Sequence, residues 1–284
     1  MKEVAKSIRQ RLLNLSKAKQ MDYNMLLIRY FHERFLYRLS VSPYRNNFYL
    51  KGGALLYALE TQFPRPTIDI DLLGIKIKND HENLLKIFTE ICRIEFLEDG
   101  VVFDSHSIKT AEISLRKKYS GIRISLVAFL DTVRQPLQID IGFGDKSVMQ
   151  MLSYPKLLES LPSAEICAYS TEYIVAEKFH AMISLSELNS RYKDFYDVYM
   201  ILTKQNLNNE NLEEAIIQTF QTRNTIFETN HPLFSEDFVK NPNRILQWNH
   251  FLKKIKAPDL EFPLILKSIL ERLQPIYNKL AHTK

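Results

Sequence analysis

Cysteine is scarce in this chain. Two occur in 284 residues, Cys92 and Cys167, far apart and without CxxC spacing, which argues against a disulfide scaffold and against a zinc site. Long apolar runs are missing as well, so no membrane-spanning helix is expected. The N-terminus, MKEVAKSIRQRLLNLSKAKQ, is amphipathic and charged where a signal peptide has an apolar middle, and an unexported protein of the reducing cytoplasm is the expectation. The seven glycines spell neither GxxxxGKS/T nor GxGxxG, which removes the P-loop and dinucleotide-binding fingerprints. No internal repeat or low-complexity tract occurs.

What remains is an ordinary globular composition, 45% hydrophobic and 25% charged, in a chain long enough for a large core or two domains. Lys plus Arg number 38 against 33 Asp plus Glu, but the surplus is uneven. Residues 1–45 carry Lys2, Lys6, Arg9, Arg11, Lys17, Lys19, Arg29, Arg34, Arg38 and Arg45 against Glu3, Asp22 and Glu33. Such a block attracts a polyanion such as RNA, or simply solvates a helix surface.

Apolar spacing predicts helices over 3–20 and 22–40, with Asp22 near the second start. Lys51-Gly52-Gly53 opens a short apolar helix running from Ala54 to Glu60, and Asn79-Asp80 reads as the cap of another, carrying Leu84, Leu85, Phe88 and Ile91. Between Val101 and Gly144, alternating β-branched and aromatic residues predict strands joined by short turns. After Tyr154-Pro155 the strand signal stops. Helical patterns follow over 171–186, 192–204, 210–221, 242–256 and 262–280. The expectation is α+β, a mixed first domain over 1–160 and a helical one over 161–284.

The segment Thr67-Ile-Asp-Ile-Asp-Leu72 places Asp69 and Asp71 on one face of a strand, with Ile68, Ile70 and Leu72 on the other. Two like charges side by side need water or a cation between them. In PLQIDIGFGD, Asp140 lies between Ile139 and Ile141 and follows the same logic. Were the two strands neighbours, three carboxylates would converge, a set of hard oxygen donors suited to Mg²⁺ or Mn²⁺ and to phosphoryl or nucleotidyl transfer. Gly52-Gly53 at a helix start offers backbone N–H groups to a triphosphate, or is merely a tight connection. Lys178 falls on the apolar face of its helix, either snorkelling to the rim or reaching a phosphate. In Arg191-Tyr-Lys-Asp-Phe-Tyr-Asp-Val-Tyr199, Arg191 with Asp194 and Lys193 with Asp197 have the spacing of surface pairs, while a functional reading makes Asp194 a cleft acid.

Five blocks in order, FLYRLSVSPYRNNFYLKGGALLYAL, PRPTIDIDLLG, LQIDIGFGD, EYIVAEKFHAM and RYKDFYDVY, resemble the AbiEii-type nucleotidyltransferase toxins, which include the MenT toxins and belong to the DNA polymerase β-like superfamily. The likeness spans residues 1 to about 200 and weakens in the helical C-terminal part. It implies a nucleotidyltransferase fold, a mixed sheet with flanking helices, and Mg²⁺-dependent transfer of a nucleotide from an NTP, in several relatives to the tRNA acceptor end. A cognate antitoxin is implied as a partner. Carried over by position, Gly52 and Gly53 match the phosphate-cradling turn, Asp69 and Asp71 the metal-binding pair, Asp140 the third carboxylate, Lys178 the lysine that contacts NTP, and Asp194 the acid of the last motif, with Asp197 in reserve. Departures occur too. Leu56 and Tyr57 stand where relatives often carry Arg, and Arg65-Pro66-Thr67 replaces Arg-Phe-Ser, with Arg65 and Thr67 still offering a phosphate contact and a hydroxyl. Two other readings compete: transfer to a small molecule or a protein side chain, and a catalytically silent module that binds RNA or protein.

Overall fold

The structure is a computed structural model that describes residues 2–59, 67–115, 119–143, 149–228 and 230–282. The chain divides into two compact units, Met1–Tyr169 and Ser170–Lys284. Among the described residues no helix is long and apolar enough to cross a membrane.

The first unit opens with helices α1 (Lys2–Ala18) and α2 (Tyr23–Val41). Asp22 caps α2 by accepting the Met25 N–H at 2.9 Å, as its short polar side chain at the helix start leads one to expect. Strand β1 (Phe48–Lys51) runs directly into α3 (Gly52–Leu59), and β2 (Asp69–Gly74) follows. Helix α4 (His81–Cys92) starts at Asp80, whose carboxylate accepts the Asn83 N–H at 2.9 Å. Then come β3 (Val101–Leu115), β4 (Tyr119–Leu130), β5 (Val133–Phe143), β6 (Met149–Ser153) and β7 (Glu165–Tyr169). Among the described residues these form one seven-stranded mixed sheet in the order β3-β4-β5-β2-β1-β7-β6.

Alternation decides the two faces of the sheet. Ile70, Leu72, Ile139, Ile141, Ile122 and Ile124 are all buried, while the residues between them on β2, β5 and β4 are half-buried or exposed. An aromatic cluster seats α2 and α4 on the buried side. The ring of Phe35 in α2 lies 6.0 Å from Phe88 of α4 and 5.7 Å from Phe103 of β3, and Phe88 lies 5.5 Å from Phe48 of β1. Offset and edge-on pairs at such distances add to the burial of large apolar rings.

Two strand expectations need correction. Strand signal does not stop at Pro155, because Glu-Ile-Cys-Ala-Tyr forms β7, paired in parallel with β1 and antiparallel with β6. A buried inner strand reads as a short continuous apolar run, without the alternation that marks a half-exposed one. Ile68 does not join the buried face either. It precedes β2 and is 62% exposed.

The second unit is helical: α5 (Thr171–Leu185), α6 (Tyr192–Lys204), α7 (Asn209–Thr222), α8 (Glu236–Lys240), α9 (Pro242–Ile255) and α10 (Phe262–His282). Ser170, Asn208 and Asn241 cap α5, α7 and α9 through their side chains. The fully buried Trp248 of α9 packs against Phe262 of α10 at 5.6 Å, and Phe195 of α6 meets the same ring at 5.5 Å.

Candidate active site

The parallel register of β2 and β5 sets Asp71 opposite Asp140 and Asp69 opposite Gln138. Neighbouring strands stand about 4.8 Å apart, so Asp71 and Asp140 are like charges at close range on the half-exposed face. The row continues on both sides. Lys51 of β1 pairs with Asp71, and Arg123 of β4 pairs with Asp140. A cation, two carboxylates and a second cation thus follow one another across four strands.

Gly52 takes φ +65°, and a Cβ there would stand 1.9 Å from Asp71 Oδ2. Only glycine allows this approach of the β1–α3 turn to the carboxylate. Gly53 is buried in the first turn of α3. The α2 face also anchors this region, since His32 Nε2 lies 3.1 Å from the carbonyl of Ile68, the residue before Asp69. A carbonyl only accepts, so Nε2 carries the proton. Burial holds the His32 pKa down to about 4, keeping the ring neutral. Thr67 directs its hydroxyl to the carbonyl of Asp69 at 3.3 Å. Arg65 lies outside the described residues.

Arg123 binds Asp140 through a two-pronged contact, Nε to Oδ1 and Nη2 to Oδ2, both at 2.7 Å. The hydrogen bond to Asp140, followed by the charges of Asp140, Asp69 and Asp71, pushes the guanidinium pKa above its ordinary value. Among the described residues no three Asp, Glu, His or Cys side chains are drawn together as a metal site. The chemistry of the donor set nonetheless fits a hard divalent cation, with carboxylate oxygens of Asp69, Asp71 and Asp140 on one face and Asp71 brought against the Gly52 turn.

In the second unit Lys178 of α5 donates to Asp194 Oδ1 and Asp197 Oδ2 of α6, each at 2.8 Å. Arg191 Nε stands 2.7 Å from Asp194 Oδ2, an ionic contact without hydrogen-bond geometry. The Arg191–Asp194 pair that the spacing suggests does form, but its carboxylate is no surface group: Asp194 and Asp197 are buried, 0% and 3% exposed. Helix α6 turns both acids inward, towards the one lysine on the facing helix. Burial pulls the Lys178 pKa down, and the charges of Asp197 and Asp194 more than offset it, so the net direction is up.

Residues 34–270 match the protein family described as the nucleotidyl transferase AbiEii toxin of type IV toxin–antitoxin systems. The chain belongs to the AbiEii nucleotidyltransferase toxin family. No curated protein matches it in sequence. Two solved Helicobacter pylori structures are similar at 16% identity. One is that of JHP933, with a TM-score of 0.47 over 88% of this chain and 90% of that one. The other, a candidate nucleotidyltransferase, gives a TM-score of 0.45 over 88% and 94%. Likenesses of that strength carry no argument about activity.

In this AbiEii chain, Arg123 and Lys51 are the residues of the acidic face that sequence reasoning did not single out. Arg123 was legible in principle, since it lies between Ile122 and Ile124 as Asp140 lies between Ile139 and Ile141. The basic N-terminal block, by contrast, is less available to a polyanion than its composition suggests. Arg34 and Arg38 are buried, paired with Glu33 and Asp99, and Arg9 reaches Asp131 at 2.6 Å. Lys2, Lys6, Arg11, Lys17 and Lys19 remain exposed.

Proposed function

We propose that this AbiEii chain transfers a nucleotide from an NTP to RNA, at a tRNA 3′ end, in a reaction that depends on Mg²⁺ or Mn²⁺. The observation that carries the reading is the Asp71–Asp140 register beside a turn that only glycine can make. Asp69, Asp71 and Asp140 are the residues suited to hold the ion, which when bound offsets the triphosphate charge and polarises the phosphorus under attack. The Gly52-Gly53 turn presents backbone N–H groups at the start of α3 to the phosphates. Thr67 contributes a hydroxyl, and Arg65 a further phosphate contact. In the transfer, the acceptor hydroxyl oxygen bonds to the α-phosphorus, the bond to the pyrophosphate breaks, and the hydroxyl proton leaves to a base.

Lys178 and Asp194 are assigned to the same activity on the strength of the family resemblance. Burial of Asp194 favours a positioning role over proton acceptance: with Asp197 it fixes the ammonium of Lys178, two of whose three donors go to these acids. RNA as the acceptor is supported by the exposed lysines of α1, which suit phosphate contacts that carry no sequence information. A cognate antitoxin is the expected protein partner, because the family is that of type IV toxin–antitoxin systems.

Incubating the protein with Mg²⁺, each labelled NTP in turn and total tRNA tests the reading. Label is expected in the tRNA fraction and, after nuclease mapping, at the 3′ terminus. Label in a small molecule or in protein redirects the acceptor assignment. No label in any fraction refutes the transfer itself.

A further inference from the structure

Arg123 grips Asp140 at both carboxylate oxygens, in the strand register that sets Asp140 opposite Asp71. Both oxygens of Asp140 point at N–H groups of one guanidinium, while a divalent ion needs an oxygen turned towards itself. The guanidinium also feels the charges of Asp69 and Asp71, so it already serves as counter-charge to the whole acidic face. Its side chain is 39% exposed and that of Asp140 20%, so the arm has solvent on one side into which it can swing.

We propose that Arg123 competes with the divalent ion for Asp140, so that Asp140 becomes an ion ligand only when Arg123 releases it. The inference rests on the assignment of Asp69, Asp71 and Asp140 as ion ligands made above. Its energetic logic is an exchange of counter-charge. Without an ion, neighbouring carboxylates on adjacent strands repel, and a forked guanidinium is the strongest single-charge remedy available to a protein. With an ion, the same guanidinium adds repulsion and occupies the lone pairs the ion requires. The opposing possibility is that Arg123 steadies Asp140 for coordination, since a carboxylate has lone pairs to spare for both. The two predict opposite signs for one measurement.

The measurement is Mn²⁺ affinity of the full chain without nucleotide, read from the free-ion electron paramagnetic resonance signal. Arg123→Met removes the charge and the fork, and is expected to tighten binding roughly tenfold, the order expected when a charge-assisted contact no longer has to be broken. Arg123→Lys keeps the charge without the fork, gives a smaller gain, and stands in should the methionine variant fail to fold. Adding Asp140→Asn to Arg123→Met is expected to abolish the gain. Unchanged or weaker binding in Arg123→Met overturns the proposal. So does a gain that survives Asp140→Asn, which makes the effect one of general charge instead of competition for that carboxylate. If Asp71→Asn in the otherwise unaltered protein leaves Mn²⁺ binding untouched, the ligand assignment falls and this inference with it.

Discussion

Gly52 is the residue on which the acidic face depends most sharply. Its φ of +65° and the 1.9 Å that would separate a Cβ from Asp71 Oδ2 leave alanine no comfortable place. Gly52→Ala is expected to cost about 1–3 kcal/mol of stability from the backbone alone and to displace the Asp71 carboxylate, with loss of nucleotide incorporation. Thermal melting and the incorporation assay check both halves, and a Gly52→Ala protein that is active and stable contradicts the proposed geometry. The importance of this glycine was only half legible in the sequence. Gly-Gly before an apolar helix announced a turn, but the carboxylate that fills the space beside it belongs to Asp71, nineteen residues along the chain, and no local pattern reveals that approach. Lys178 shows the same limit. A lysine on an apolar helix face was visible, yet the two acids that neutralise it belong to another helix and looked like surface partners of their own neighbours.

At the scale of elements, α2 carries more charge into the core than its sequence announces. Arg38 pairs with Asp99 and also donates to the carbonyl of Val101 at 3.3 Å, while Asp99 accepts the Val101 N–H at 3.0 Å. The pair ties α2 to the start of β3. Asp99→Ala leaves a buried guanidinium unpaired and is expected to destabilise by about 3–5 kcal/mol, measured by urea unfolding, whereas Arg38→Met with Asp99→Leu costs less. Adjacent residues of α2 titrate in opposite senses. Burial holds His32 near 4, so its contribution is present above pH 6.5 and is lost as pH falls towards 4. Burial raises Glu33 to about 7, so its contribution is present below pH 4.5 and is lost as pH rises through 7. Between pH 4.5 and 6.5 the two oppose each other. Glu33→Gln should therefore make the protein more acid-labile, and His32→Gln less, each by on the order of 3 kcal/mol across the window. Unfolding free energies of the three proteins against pH provide the check, and parallel curves refute the assignment.

Over the whole molecule, what could be read in advance was set by how far each signal reaches along the chain. Helices α5, α6, α7, α9 and α10 were legible almost to the residue, because 3.6-residue periodicity and side-chain caps such as Asn241 are local, while the five-residue α8 is too short to show a period and was missed. Strands β3 to β5 were legible from alternation, and β7 was not, because its place between β1 and β6 buries it and erases the pattern. Charge counts misled in one respect: the basic block of 1–45 includes arginines that are structural, and only tertiary packing separates those from the solvated ones.

The most direct test of the central claim, that the carboxylates of β2 and β5 form the centre of nucleotidyl transfer, is the rate of NTP-dependent labelling of RNA by Asp71→Asn against the unaltered protein at equal folded fraction. The account predicts a fall of roughly a hundredfold or more, with melting temperature kept or raised because a like charge is removed from beside Asp140. Labelling at the original rate by a folded Asp71→Asn protein would contradict it.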